Sequence, residues 1–293
     1  MSTPVMRYEY VQANGVRLWT VTQGEGDPIV LCHGGPGLWD YLEPLGEALS
    51  TTSMVHRYDQ RGCGRSGSML PYDVGTMVAD LESLRRRWGH ERWVVAGHSW
   101  GADLALTYTV AFPTRVRGLI YVSGTGLDLD WRDDYRAVQR QRLTFEELLD
   151  LGKLWSRVSK GGTIAETTEV AYLRLLWSAD FADRQKAKKL VEELLQSRRR
   201  PNCEVNRDIL EDWRRLLTGG EVKKRARELK VPVLVVHGEG DPRPCRIARR
   251  LAETIPGSRL EILPEVGHFP WLEAPESFVA LMREFIETLK DRE

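Results

Sequence analysis

Gly97-His98-Ser99-Trp100-Gly101 carries the most suggestive chemistry in this chain, a serine hydroxyl set between two glycines. An apolar run, Trp93-Val94-Val95-Ala96, precedes it, and a helical pattern beginning Ala102-Asp103-Leu104-Ala105-Leu106 follows. Strand, Gly-x-Ser-x-Gly and helix in that order predict a nucleophile elbow. The glycines suit a turn so tight that side chains there would meet the neighbouring strand and helix. The helix starts directly behind the serine, where free N–H groups and the positive dipole end favour negative charge.

A serine at such an elbow needs an acid and a base, which follow it in the chain as Asp or Glu and then His. His237-Gly238-Glu239-Gly240-Asp241-Pro242 leaves a predicted strand, and Asp241 is the natural acid. Glu239, closer to the strand end, and Asp128 are the alternatives. Gly267-His268-Phe269-Pro270 lies beyond the next strand, in the last loop before the final helix, which makes His268 the base. His98 is expected to point away from the hydroxyl and to stay outside the mechanism. His33-Gly34-Gly35-Pro36-Gly37 follows an early strand, and its glycines let backbone N–H groups approach a developing oxyanion. The N–H groups of Gly35 and Trp100 are the expected oxyanion donors, with Gly34 the less favoured choice. Asp59-Gln60-Arg61-Gly62-Cys63-Gly64-Arg65-Ser66 reads as a tight supporting loop near the site. No metal and no organic cofactor are expected.

The elements that must position these groups alternate. Strand signals at 8–12, 17–22, 28–32, 53–58, 92–96 and 116–122 are joined by a hairpin turn at Asn14-Gly15 and by helices after Asp73 and Ser99. This order predicts an α/β fold with a largely parallel sheet and helices on both faces. From about Gly124 to Arg227 only helical patterns occur, over 131–149, 151–158, 164–177, 184–199 and 208–217. Turn signals at Gly161-Gly162, Pro201-Asn202 and Gly219-Gly220 punctuate them. The expected division is a core of 1–123 with 228–293 and an inserted helical cap of 124–227.

Composition narrows the setting. The chain has 293 residues, enough for one large core, and 42 basic against 42 acidic residues. Zero net charge supplies no general attraction to nucleic acid or acidic membranes. The arginine runs at 85–87 and 198–200 read as solvated helix-end charge. No membrane span and no signal peptide are read, and the four scattered cysteines suit a reduced, cytoplasmic protein. Neither nucleic-acid nor membrane partners are expected, and oligomeric state is not readable.

Together the His33-to-Gly37 loop, the Asp59-to-Ser66 loop, the Ser-Trp-Gly of the elbow, His237-Gly238 with Asp241, and Gly267-His268 resemble the prolyl iminopeptidase family of α/β-hydrolases. The resemblance implies an eight-stranded sheet, a helical cap after the sixth strand, and release of an N-terminal residue, often proline. It also implies acidic cap residues that hold the substrate's free amino group. Asn202-Cys203-Glu204-Val205-Asn206 is similar to the segment bearing one of them, which nominates Glu204. The elbow departs from the family pattern at His98, where a glycine is usual. The activity expected is a serine aminopeptidase for N-terminal proline or a similar small residue. An esterase, lactonase or amidase for a small uncharged molecule needs the same triad without the cap carboxylate. A non-catalytic binding protein on the same scaffold is the third reading.

Overall fold

The computed structural model describes residues 6–160 and 165–290. Eight strands form one sheet: β1 (Arg7–Ala13), β2 (Val16–Gln23), β3 (Pro28–Cys32), β4 (Met54–Tyr58), β5 (Trp93–His98), β6 (Val116–Val122), β7 (Val233–Gly238) and β8 (Arg259–Leu263). Their spatial order is β1-β2-β4-β3-β5-β6-β7-β8. β1 and β2 pair antiparallel, as do β2 and β4, and every other pair is parallel. Asn14 and Gly15, both at positive φ, make the tight turn of the first hairpin.

The central strands are buried along their whole length, as a sheet covered on both faces requires. Alternation splits their side chains. Val30 and Cys32 join one apolar cluster, with α2 (Val74–Arg87) and α3 (Trp100–Ala111), while Ile29 and Leu31 join the other. That second face is covered by α1 (Glu43–Leu49), a short helix not anticipated from sequence, and by the C-terminal helix Pro275–Thr288.

Between β6 and β7 the described residues hold helices and no strand: α4 (Arg132–Arg142), α5 (Phe145–Val158), α6 (Glu166–Ser178), α7 (Arg184–Gln196), α8 (Cys203–Gly219) and α9 (Glu221–Ala226). The single helix expected over 131–149 is broken at Leu143-Thr144. Thr144 accepts from the Glu147 N–H, and the Glu147 carboxylate accepts from the Thr144 N–H, so a reciprocal capping box starts a new helix there. Helix α8 begins five residues earlier than its apolar period suggests, because the Asn202 side chain caps Glu204 and Val205. The turn expected at Gly161-Gly162 and the helix start at 164 lie outside the described residues. Arg85 is not solvated as expected: it is buried, paired with Glu82 and bonded to the carbonyls of His90 and Glu91. After β7 come α10 (Cys245–Thr254), α11 (Pro270–Glu273) and α12 (Pro275–Thr288). No helix among the described residues is long and apolar enough to cross a membrane.

The elbow glycines mark where helix and sheet come closest. A Cβ on Gly97 would lie 2.0 Å from the Gly101 carbonyl oxygen, and one on Gly101 would lie 2.0 Å from the Cys32 carbonyl oxygen. Backbone flanks both positions, so neither can yield. Gly101→Ala should therefore destabilise the protein by about 3 kcal/mol in urea titrations. Gly152, inside α5 with nothing within 4 Å, gives the opposite sign. Gly152→Ala should stabilise by about 0.5–1 kcal/mol through helix propensity.

Candidate active site

Four loops at the C-terminal ends of the parallel strands build the site. They follow β3, β5, β7 and β8, and the first two flank the place where chain order reverses, between β3 and β5. Open α/β sheets bind ligands at such a crevice. Ser99 leaves β5 with φ 56°, a left-handed conformation rare for a residue bearing a side chain. Its N–H bonds the Val122 carbonyl on β6 and its carbonyl receives the Ala102 N–H, so the turn is held from both sides.

His268 stands in the loop after β8, and its Nδ1 lies 2.6 Å from Asp241 Oδ2. The other oxygen of Asp241 accepts the Arg243 N–H at 2.8 Å and faces the Arg243 guanidinium at 3.3 Å. Burial pushes the Asp241 carboxyl up, but the neighbouring His268, with its hydrogen bond, and the charge of Arg243 outweigh it. The group is held well below the usual carboxylate range. An ionised Asp241 keeps the proton on His268 Nδ1 and leaves Nε2 with its lone pair. The two other acids do not reach this position. Glu239 is exposed, and Asp128 is paired with Lys223 at 2.9 Å.

The loop after β3 is held by side chains rather than by strand pairing. Gln60 donates its N–H to His33 Nε2 and its amide to the His33 carbonyl, and accepts from the Trp100 indole at 3.1 Å. Asp59 accepts from the backbone N–H groups of Asp40 and Arg65 and from the Arg65 side chain. The Asp59-to-Ser66 loop thus ties the glycine loop to the elbow. Gly34 donates its N–H to the Tyr41 hydroxyl at 2.8 Å, which removes Gly34 as an oxyanion donor. Gly35, at φ 54°, lines the cavity with Ser99 and His268. Trp100 opens α3, where the first N–H groups have no partner within the helix.

The cavity measures about 290 Å³. Leu38, Trp155, Val158, Leu173, Leu176 and Trp177 supply much of its apolar wall. Asp180 is the only carboxylate among the described residues lining it, and Arg243 holds that carboxylate at 2.9 Å.

Glu204 is not at this wall. It is exposed in the first turn of α8, on the side away from Val205, Ile209 and Trp213, which are buried. The residues around it dock the helix onto the glycine loop. Asn202 donates its N–H to the Gly37 carbonyl at 2.7 Å, and Asn206 donates to the Pro36 carbonyl at 2.9 Å. Helical periodicity puts Asn202 and Asn206 on the inner face and leaves Glu204 outside. The His98 ring lies against that of His268, with centroids 4.5 Å apart.

Sequence reading missed the residues that join the inserted helices to the loops after β7 and β8. Arg142 donates to the carbonyls of Ala179, Phe181 and Gly240. The Asp180 carbonyl accepts the His268 N–H at 2.8 Å. Glu273 accepts from the N–H groups of Ala182 and Gly267, both at 2.8 Å. None sits in a motif, so only their contacts reveal them. Among the described residues no group of three or more His, Cys, Asp or Glu is placed to hold a metal ion.

Residues 27–275 match the family described as the alpha/beta hydrolase fold. The chain belongs to that family and is a hydrolase enzyme of this class. Among individual proteins it is similar to the proline iminopeptidase of Saccharolobus solfataricus, with 28% identity over 90% of this chain and 86% of that protein. It is likewise 27% identical to the proline iminopeptidase of Clostridioides difficile, over 90% of this chain and 91% of that one. In structure it resembles a meta-cleavage product hydrolase from Pseudomonas fluorescens, with a TM-score of 0.76 and 21% identity over 96% and 97% of the two chains.

Burial pushes the Glu273 carboxyl up to about 7, against the backbone N–H groups that draw it down. The folded protein therefore binds this proton more tightly than the unfolded chain, whose glutamate titrates near ~4.3. The stability tied to this group is fullest below that value and is lost as pH rises toward 7. Urea midpoints should show the stability difference shifting in favour of Glu273→Gln between about pH 4.5 and about pH 8.

Proposed function

We propose that this protein is a serine hydrolase working through an acyl-enzyme on Ser99. The observation that carries the reading is the 2.6 Å bond from His268 Nδ1 to Asp241, in a loop lining the same cavity as the strained Ser99. Ser99 Oγ attacks the substrate carbonyl carbon as its proton passes to His268 Nε2. Asp241 keeps the ring in the tautomer that can accept it and stabilises the imidazolium. The N–H groups of Gly35 and Trp100 stabilise the oxyanion, at about 3–4 kcal/mol for each donor. His268 then gives its proton to the leaving amine or alcohol. Water, deprotonated by the same ring, attacks the acyl-enzyme, and the carboxylic acid leaves as Ser99 regains its proton.

Within this class we favour an aminopeptidase that releases N-terminal proline or a similarly small residue. The likeness to proline iminopeptidases along nine-tenths of the chain supports it. So does a small apolar cavity, with Asp180 the carboxylate facing the cleft. A second reading draws on the Arg243–Asp180 ion pair, which neutralises that carboxylate and suits an uncharged acyl group. The enzyme would then be an esterase, lactonase or amidase. Helices α5, α6 and α8, whose residues line the cavity, act as its cap under either reading.

Ser99→Ala should abolish both turnover and covalent labelling by a fluorophosphonate, and labelling that persists at another residue would overturn the nucleophile. Proline naphthylamide, its N-acetyl form and p-nitrophenyl acetate, assayed side by side, separate the two substrate readings. Turnover of only the free-amine substrate is expected. Equal or faster turnover of the blocked amide or the ester would replace the aminopeptidase with the second reading. Glu204→Gln should leave KM within about twofold, because an exposed side chain away from the cavity contributes little to binding.

A further inference from the structure

Three loops of the site meet at one hydrogen-bonded chain that the reaction sequence does not use. Gly34 N–H lies 2.8 Å from the Tyr41 oxygen, Tyr41 lies 2.8 Å from His98 Nδ1, and His98 Nε2 lies 2.8 Å from the His268 carbonyl. All four residues are buried. Chemistry allows only one direction of donation. A carbonyl can only accept, so His98 Nε2 carries a proton. Burial first, and the neighbouring His268 second, hold the His98 ring well below its ordinary pKa, so it is neutral and Nδ1 accepts. Tyr41 therefore donates its proton to Nδ1, and its oxygen is left to receive the Gly34 N–H.

We infer that Tyr41 and His98 are positioning residues that set the oxyanion loop and the base loop at a fixed distance across the elbow. The inference rests on the serine-hydrolase reading of the same site. Its consequences are specific. Tyr41 engages Gly34, so the peptide plane that follows presents the Gly35 N–H. His98 fixes the backbone of His268 from one side while the Asp180 carbonyl, bonded to the His268 N–H at 2.8 Å, fixes it from the other. Trp271 packs against both rings: the Tyr41 ring stacks on it and the His98 ring meets it edge-on. A glycine at position 98 could make neither side-chain bond.

The test uses the intact protein with proline naphthylamide, the substrate expected to turn over, and a fluorophosphonate. Misplacing reacting groups by about 1 Å costs on the order of 100-fold. Tyr41→Phe and His98→Phe should each lower kcat by about 10- to 100-fold. KM should stay within about threefold, since oxyanion donors act mainly in the transition state. The double variant should lose no more than the worse single one, because both changes cut one chain. His98→Gln, which restores a donor toward the His268 carbonyl, should recover activity relative to His98→Phe. Multiplicative losses in the double variant, or kcat unchanged in either single one, would overturn the inference. Nitrogen-15 spectra of the wild-type His98 ring check it without a substrate and without a variant that must fold. A neutral ring with the proton on Nε2 is expected, and a proton on Nδ1 rejects the chain. Absence of Ser99 labelling in the wild type would instead overturn the hydrolase reading while leaving the ring spectrum to stand.

Discussion

Close backbone contact between α3, β5 and β3 is the constraint on which this molecule turns. Gly97 and Gly101 leave no room for a Cβ, and the chain passing between them puts Ser99 at a positive φ. Such a conformation costs about 1–3 kcal/mol and persists only where the surroundings over-determine it. The surroundings here are the pairing of β5 with β3 and β6 and an α3 helix buried on nearly every side. The hydroxyl projects beyond the sheet because the backbone behind it cannot relax.

Around that point the site is organised by buried polar groups, not by apolar packing. Arg57 with Asp40 and Arg65 with Asp59 support the glycine loop, Arg61 with Asp80 ties the Asp59-to-Ser66 loop to α2, and Arg243 links Asp180 and Asp241. Pairs of this kind contribute little net stability, since desolvation offsets most of the attraction. Their geometry is strict, however, and losing one partner strands a buried charge. They therefore serve as struts that hold loops where strand pairing has ended. Arg243 also sits beside Asp241, so the strut between the inserted helices and the core shares a carboxylate with His268.

The neutral His98 and the low-lying Asp241 show how one pocket keeps neighbouring groups in different protonation states. Burial works against charge on both. Asp241 has His268 and Arg243 beside it and stays ionised, whereas His98 faces another histidine and a hydroxyl and stays neutral. The difference lies in partners supplied by distant parts of the chain.

Residue order alone led to Ser99, Asp241 and His268, because each has a glycine within two residues at the end of an apolar run and an elbow serine in this fold is followed by an acid and then a histidine. It also led to the alternating core and to Gly35, which lines the cavity beside Ser99, since a short apolar strand followed by consecutive glycines has few other outcomes. It misjudged Glu204, whose apparent place in a motif hid its position on the outer face of α8. It missed Thr144 as a helix start, although Thr-x-x-Glu was there to be read. Tyr41, Asp180, Arg243 and Glu273 were beyond its reach. Their partners lie far along the chain or across the helical insertion, and nothing local marks them. Local spacing dictates elements and motifs because these depend on neighbours a few residues away. Which carboxylate faces the cavity, which is already paired, and which histidine is held neutral depend on contacts made only when the sheet, the loops and the inserted helices close together.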